Sequence, residues 1–131
     1  MSTMDITCAQ WSPRLLSVLR MVTALLFIQH GSMKLLGFPP SEAFTGVKLF
    51  SLIGFAGVLE LFGGLLILLG LFTRPVAFIL SGEMAFAYFM AHASHGIYPA
   101  LNHGELAVLY CFVFLYLSVA GGGVWGIDRF R

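Results

Sequence analysis

The feature that most constrains this chain is an apolar run of 24 residues with one ionisable side chain, Glu60, near its centre. The run extends from Leu49 to Phe72 and reads LFSLIGFAGVLELFGGLLILLGLF. As a helix that rises about 1.5 Å per residue, it would be about 36 Å long, which is enough to cross a hydrocarbon layer of about 30 Å with some tilt. A carboxylate at the centre of such a layer costs about 2.5 to 3.5 kcal/mol or more. Glu60 is therefore expected to face protein or water and to need a partner.

The composition of the 131-residue chain is that of a membrane protein. Hydrophobic residues make up 59% of it and charged residues only 10%, whereas a soluble domain carries about 25% charged residues. A net charge of +1 without a basic cluster argues against a nucleic-acid partner. The two cysteines, Cys8 and Cys111, lack the spacing of a zinc site, an iron–sulfur cluster or a dithiol centre. No metal site is predicted.

Hydropathy and turn residues divide the chain into a leader and four apolar segments. Residues 1–13 form a polar leader without the basic and apolar regions of a cleaved signal peptide. Membrane spans are expected at about residues 15–36, 49–72, 76–92 and 104–121, within one domain over residues 14–131. The Pro39-Pro40 pair, Thr73-Arg74-Pro75 and Gly121-Gly122-Gly123 separate or end these segments. We therefore predict an all-α fold, an integral membrane four-helix bundle.

The distribution of cationic side chains predicts the orientation of this bundle. More of them fall on one side of the four spans than on the other, namely Arg14, Arg74, Arg129 and Arg131 against Lys34 and Lys48. By the positive-inside rule, both termini are predicted to be cytoplasmic, in the cell (inner) membrane. Because four spans enclose only a small interior, a homo-oligomer or a redox protein partner is expected in addition to the lipid bilayer.

Five ionisable side chains within the predicted spans could share a pocket inside the bundle: Arg20, His30, Lys34, Glu60 and Glu83. One interpretation is a polar pocket that binds a quinone or a similar ring with carbonyl groups, with cationic donors to hold it and a carboxyl that exchanges its proton. The alternative is a structural ion-pair network in which Arg20 compensates Glu60 or Glu83. The sequence leaves open whether the two carboxyls are ion-paired or protonated.

A second group of polar residues lies near the predicted outer surface. Asn102 and Glu105 have the spacing of a capping box at the start of the fourth span. His92, His95 and His103 could hold a metal together with Glu105, but their spacing matches no zinc motif, and interfacial histidines in a loop are the better interpretation. The candidate residues of this outer face are Asn102, His103, Glu105 and Tyr110.

Four stretches of the chain together resemble the DoxX family of small four-helix membrane proteins. They are HGSMKLLGF from His30 to Phe38, ELFGGLLILLGLFTR from Glu60 to Arg74, EMAFAYF from Glu83 to Phe89, and NHGELAVLY from Asn102 to Tyr110. They occur in the order and spacing expected of the family. Two positions depart from its pattern, because the family usually has NGGE where this chain has NHGE, and Ser-Leu-Asp where its tail has Gly-Ile-Asp.

This resemblance implies a membrane subunit or anchor of a redox or quinone-linked system, because the family is named from a subunit associated with thiosulfate:quinone oxidoreduction. A quinone is the cofactor that it suggests, and if the protein is an enzyme it would be a subunit of a quinone-linked oxidoreductase. No catalytic residue is assigned. A small proton-linked transporter, a protein that binds a hydrophobic ligand and a structural membrane scaffold without catalysis are the alternatives.

Overall fold

The computed structural model describes residues 1–130, and over that range the chain is helical and contains no strands. The principal helices are α1 (Thr3–Leu36), α2 (Leu52–Leu69), α3 (Thr73–Ala91) and α4 (Glu105–Ala120). Short helical turns lie between and after them, at Glu42–Phe44, Ala93–His95, Pro99–Asn102 and Ile127–Phe130. Three helices, α1 to α3, are long and apolar enough to cross a membrane, and α4 is a shorter apolar helix. Arg131, one of the predicted cytoplasmic cations, lies outside the described residues.

Helix α1 begins at Thr3, ahead of the predicted start of the first span at Leu15. A capping box supports this early start, because the Ser2 hydroxyl accepts from the Asp5 amide at 3.2 Å and the Asp5 carboxylate accepts from the Ser2 amide at 2.8 Å. The helix continues through Pro13. The leader is therefore a helical extension of α1.

Glycines allow α1 and α2 to pack closely as an antiparallel pair. A Cβ atom on Gly64 of α2 would lie 2.6 Å from Cγ1 of Ile28, and one on Gly31 of α1 would lie 2.9 Å from the Gly57 carbonyl oxygen. Such distances leave no room for a side chain. Gly57 and Gly64 therefore face the neighbouring helix.

The apolar core lies between α1, α3 and α4, with Ile67 as the contribution of α2. Phe27 of α1 is at its centre and meets two aromatic rings of α4 edge-on, with centroid distances of 4.8 Å to Phe114 and 5.1 Å to Tyr110. Helices α3 and α4 are antiparallel and pack together along most of their length, and the Ser81 hydroxyl donates to the Cys111 carbonyl across them at 2.7 Å. The molecule thus consists of two helix pairs joined around Phe27.

The guanidinium group of Arg20 fastens the tail of the chain to the end of α2. Arg20 is fully buried. Its Nε donates to the Gly122 carbonyl at 2.7 Å, and its Nη1 donates to the carbonyls of Ile67 and Leu68 at 2.6 and 2.5 Å. The last carbonyls of a helix have no partner within the helix and carry partial negative charge, so a buried cation is stabilised there.

The tail also caps the next helix. The Asp128 carboxylate accepts from the amides of Phe72 and Thr73, at 2.8 Å each, where α3 begins. The free amides and partial positive charge of a helix N-terminus favour a carboxylate at that point. The residues after α4 therefore belong to the packed structure.

The close approach of α1 and α2 predicts that alanine at position 31 is destabilising. The added methyl group would press against the backbone of α2, and overpacking of this kind costs about 1 to 3 kcal/mol. Gly82 of α3 provides a matched control, because a Cβ atom there would meet nothing within 4 Å. Gly82→Ala should leave stability unchanged or raise it by about 0.5 to 1 kcal/mol, as measured by thermal or denaturant unfolding in detergent. Equal stability of Gly31→Ala and Gly82→Ala would contradict the described packing.

Candidate functional site

The partner of Glu60 is Lys34. The Lys34 Nζ atom donates to both carboxylate oxygens of Glu60, at 2.6 and 2.5 Å, and the side chains are only 11% and 4% exposed. Lys34 Nζ also lies 5.1 Å from the centroid of the Phe44 ring, in the connection between α1 and α2. A buried ion pair with two charge-assisted hydrogen bonds links these two helices.

The ion pair lies at an irregular point of α2, where residues Leu59–Gly63 form a π-helical turn. Gly31 of α1 packs directly against this turn, because a Cβ atom there would collide with the Leu61 amide nitrogen. Lys34 follows Gly31 by one helical turn, on the same face of α1, and so reaches Glu60. Isolated π-helical turns occur frequently at functional sites in proteins.

A cavity of about 850 Å³ adjoins the ion pair, within the range of small-molecule sites. Its walls come from all four principal helices and are mostly apolar. The polar or ionisable side chains on them are His30, Lys34, Glu60, Glu83, His92, His103 and Tyr110. Four of the five predicted pocket residues thus line one cavity.

The cavity opens between α2 and α3. Phe55 of α2 and Ile79 and Phe86 of α3 line it, yet they are 59%, 55% and 53% exposed. Large apolar side chains that are both exposed and part of a cavity wall mark its rim. If these helices span a membrane, this opening faces the lipid, so an apolar molecule could enter from the bilayer.

Two side chains of the cavity wall carry buried polar atoms without a hydrogen-bond partner among residues 1–130. They are the carboxyl of Glu83, at both oxygens, and the hydroxyl of Tyr110. The Tyr110 ring is held between aromatic neighbours, stacked on Phe114 at 5.9 Å and edge-on to Phe27. A buried polar group without a partner costs about 1 to 3 kcal/mol, and more if it is charged. A molecule with polar atoms in the cavity would remove this cost.

Of the other predicted pocket residues, His30 belongs to the cavity and Arg20 does not. His30 Nδ1 is 3.0 Å from the Leu26 carbonyl oxygen, and its ring is edge-on to Tyr110 at 5.9 Å. Arg20 lies near the opposite end of α1, where it binds the backbone carbonyls described above. The proposed ion pair between Arg20 and a carboxyl of the spans is therefore replaced by the pair of Lys34 with Glu60.

The predicted capping box at Asn102 and Glu105 is wrong. Gly104 occupies the N-cap position of α4 without a side-chain cap, and Glu105 is exposed. Asn102 is instead buried and organises the loop before α4. Its amide nitrogen donates to Tyr88 Oη at 3.1 Å and to the Gly96 carbonyl at 2.9 Å, while its side-chain oxygen accepts from the Gly104 amide at 2.9 Å. With both ends of the amide in use, Asn102 is not available for the helix.

The remaining outer-face candidates divide between the loop and the cavity. Tyr110 lies inside the cavity, and His103 lines its end near the loop, together with His92. His103 adopts a left-handed backbone conformation, with φ of 60°, which glycine adopts without strain. Glycine, which stands at this position in the usual NGGE pattern, would adopt this left-handed conformation without strain. Among residues 1–130, no three histidine, cysteine or acidic residues are placed to hold a metal ion.

Sequence reasoning did not identify several residues of the site. Phe44 lies in a connector without periodicity, so nothing indicated that it would cover Lys34. The π-helical turn leaves no pattern in LELFG that distinguishes it from regular helix. The Ser2-x-x-Asp5 spacing, by contrast, is a recognisable capping signal that could have predicted the early start of α1.

Comparison with known proteins relates the chain to one family. The family model described as DoxX matches residues 15–93, more than half of the chain. An uncharacterized protein of Haemophilus influenzae is 46% identical over 124 residues, which cover 92% of this chain and 92% of that protein. No solved structure matches the chain.

Removal of one partner of the buried ion pair is expected to destabilise the protein. Glu60→Gln leaves the Lys34 ammonium without a counter-charge, which costs about 3 to 5 kcal/mol for a buried pair. The double substitution Lys34→Met with Glu60→Met removes both charges and should recover most of this loss. Thermal melting in detergent measures both effects, with Lys48→Met as an exposed control that changes stability by less than about 0.5 kcal/mol. An unchanged melting temperature for Glu60→Gln would contradict the pair.

The left-handed conformation of His103 makes a second prediction. His103→Gly should raise the free energy of unfolding by about 1 kcal/mol, because glycine has no Cβ atom to strain this backbone. His95 is a control in the same loop, where the backbone φ is not positive, so that glycine there should lower stability through its greater freedom in the unfolded chain. Denaturant unfolding measures both variants. A loss of stability in His103→Gly would show that the side chain makes a stabilising contact.

Proposed function

The chain belongs to the DoxX family of membrane proteins, and we propose that it binds a quinone, or a similar ring with carbonyl groups, as the membrane component of a redox system. The observation that carries this proposal is the pair of buried groups, the Glu83 carboxyl and the Tyr110 hydroxyl, that lack hydrogen-bond partners among residues 1–130. Both line a cavity that is otherwise mostly apolar. A ring with a few polar atoms meets both requirements.

The size and walls of the cavity suit such a ring. A volume of about 850 Å³ accommodates a substituted ring with part of an apolar tail. Phe27 and Phe44 offer aromatic surfaces for stacked or edge-on contact. The opening beside Phe55 and Phe86 would leave the rest of the tail among the lipids. A binding site of this shape exchanges its ligand with the bilayer and needs no path through water.

The polar groups of the cavity can bind both a carbonyl and a hydroxyl. Tyr110 Oη is a donor and an acceptor, and Glu83 donates when protonated and accepts when ionised. Lys34 adds positive charge nearby but is held by Glu60. A bound quinone would supply two-electron chemistry that is coupled to protons. Glu83 is the residue we assign to hold a proton at the ring, with Tyr110 to orient it.

Electrons for this chemistry would come from a partner protein, which makes the chain a subunit or an anchor. Its own cysteines are free, with Cys8 exposed near the start of α1 and Cys111 partly buried in α4. They lie on different elements, far apart in the fold, so they do not constitute a dithiol centre. The large exposed apolar surface of the helices would be covered by lipid, by a second copy of the chain or by this partner.

We further propose that all four principal helices cross the inner membrane as a bundle, with both termini in the cytoplasm. Helix α4 has 16 residues, about 24 Å of helix, which is short for a span but compatible with local thinning of the bilayer. It packs along α3, which is long enough to span. This orientation is supported by three arginines that are exposed at the end of the bundle where both termini lie, namely Arg14, Arg74 and Arg129.

A conservative substitution at Tyr110 tests the proposed function. Tyr110→Phe removes one hydroxyl and preserves the ring packing, and the loss of one hydrogen bond should weaken the binding of a short-chain quinone about fivefold. Tyr116 is on the same helix but 58% exposed, so Tyr116→Phe is the matched control and should bind as the wild type does. Calorimetric titration in detergent measures the affinities, and melting without ligand shows that each variant is folded. Absence of saturable quinone binding, or equal affinities for wild type and Tyr110→Phe, would refute the proposal.

A further inference from the structure

We propose that the protein binds the phosphate of an anionic phospholipid at the end where its termini meet, between Arg14 of α1 and Arg129 of the tail. The site is separate from the cavity described above and does not depend on the function proposed for it. It consists of a second cavity of about 320 Å³. Its lining residues are Ala9, Gln10, Pro13 and Arg14 of α1 on one side and Val124, Trp125 and Arg129 on the other.

Hydrogen bonds between the tail and α1 fix the two sides of this site relative to each other. The Trp125 amide donates to the Ser17 hydroxyl at 3.1 Å, and the Val124 amide donates to the Pro13 carbonyl at 3.5 Å. Gly123 packs so closely against α1 that a Cβ atom would lie 2.7 Å from the Pro13 carbonyl oxygen. The two walls of the cavity are therefore held together by contacts between the backbone of the tail and α1, and not by the arginines themselves.

The two guanidinium groups are oriented by the backbone and remain without a carboxylate partner among residues 1–130. Arg14 Nη1 donates to the Gln10 carbonyl at 2.6 Å, and Arg129 Nη1 donates to the Val124 carbonyl at 3.3 Å. These are neutral acceptors, and both side chains are exposed. The ion pair found within the described range is that of Lys34 with Glu60. Each arginine therefore keeps its positive charge and several N–H donors for an anion.

The depth of the site matches the headgroup layer of a bilayer. Arg20 is level with the last carbonyls of α2, and Arg14 lies six residues earlier in α1, about 9 Å further out along the helix axis. The headgroups of a bilayer occupy about 5 to 7 Å on each side of its hydrocarbon core, so with Arg20 at the edge of the core the Arg14 backbone lies about 2 to 4 Å outside this layer, and its long side chain reaches back into it. Trp11 and Trp125, both 53% exposed, flank the site, and tryptophan is enriched at this depth of membrane proteins.

The chemistry of the site favours an anionic phospholipid over a zwitterionic one. Guanidinium groups bind phosphate through paired N–H donors. Phosphatidylcholine carries a trimethylammonium group beside its phosphate, which two arginines would repel, whereas phosphatidylglycerol has only hydroxyl groups there. Arg74, which is exposed at the same end of the fold, adds to the positive potential. The site should therefore concentrate phosphatidylglycerol from a mixed bilayer.

Tryptophan fluorescence provides the test, because, of the two tryptophans of the chain, Trp125 lines this site and Trp11 lies beside Arg14. The protein is reconstituted into phosphatidylcholine vesicles with a minor fraction of phosphatidylglycerol, and bromine, which quenches tryptophan, is placed on the acyl chains of one lipid at a time. Quenching per brominated lipid should be greater for phosphatidylglycerol. The double substitution Arg14→Gln with Arg129→Gln should reduce this preference about fivefold for each arginine removed.

Lys48→Gln is the matched control, because Lys48 is exposed at the other end of the fold, and it should keep the full preference. If the double variant does not fold, Arg129→Gln alone should show about a fivefold reduction. Equal quenching by the two lipids, or an undiminished preference in the arginine variants, overturns the proposal. Loss of the preference in the presence of inorganic phosphate at constant ionic strength would assign the site to a free anion and overturn the lipid assignment.

Discussion

The structure depends on how charged groups are compensated inside an apolar molecule. Lys34 and Glu60 neutralise each other across α1 and α2 at 2.5 to 2.6 Å, while Arg20 donates hydrogen bonds to backbone carbonyls at the end of α2 and in the tail. These two sets of interactions connect α1 to α2 and to the tail that follows α4. Glu83 has neither kind of partner among residues 1–130. Arg20 still has three carbonyl partners although its Nη2 has none, whereas both oxygens of the Glu83 carboxyl are without a partner in that range, which supports the proposal that a ligand meets the cavity at Glu83.

The same packing that forms the ion pair also leaves the cavity open. Glycines bring α1 and α2 together around Gly31 and Gly57, and α3 and α4 form their own close pair. The two pairs share the core around Phe27, whereas α3 packs against residues Leu59–Leu69 of α2, including Gly63 against Leu80, and much less against Leu52–Val58. Their separation beyond that contact leaves a space between the pairs that is apolar at its rim and polar at its inner end. The cavity opening therefore lies where the two helix pairs are not in close contact.

Much of the fold was predictable, because apolar segments indicate the helices and turn residues indicate where they end. The all-helical class and the long apolar helices follow from patterns in the sequence, and the DoxX resemblance is confirmed. The partner of Glu60 was not predictable, because Arg20, His30 and Lys34 lie on one stripe of α1 and only the antiparallel register with α2 selects Lys34. The return of the tail to Arg20 depends on a glycine-rich segment whose conformation has no periodic signal. Asn102 does not cap α4 because its side-chain nitrogen and oxygen are both hydrogen-bonded to other groups around the loop.

We propose above all that the cavity beside the ion pair holds a ligand whose polar end meets Glu83 and Tyr110. The most direct measurement is an experimental structure of the protein extracted in its native lipids, at a resolution that shows non-protein density. We expect elongated density that enters between α2 and α3 and ends within hydrogen-bond distance of the Glu83 carboxyl and Tyr110 Oη. A cavity closed by protein side chains, or one in which both groups are bonded to each other or to water alone, would contradict it.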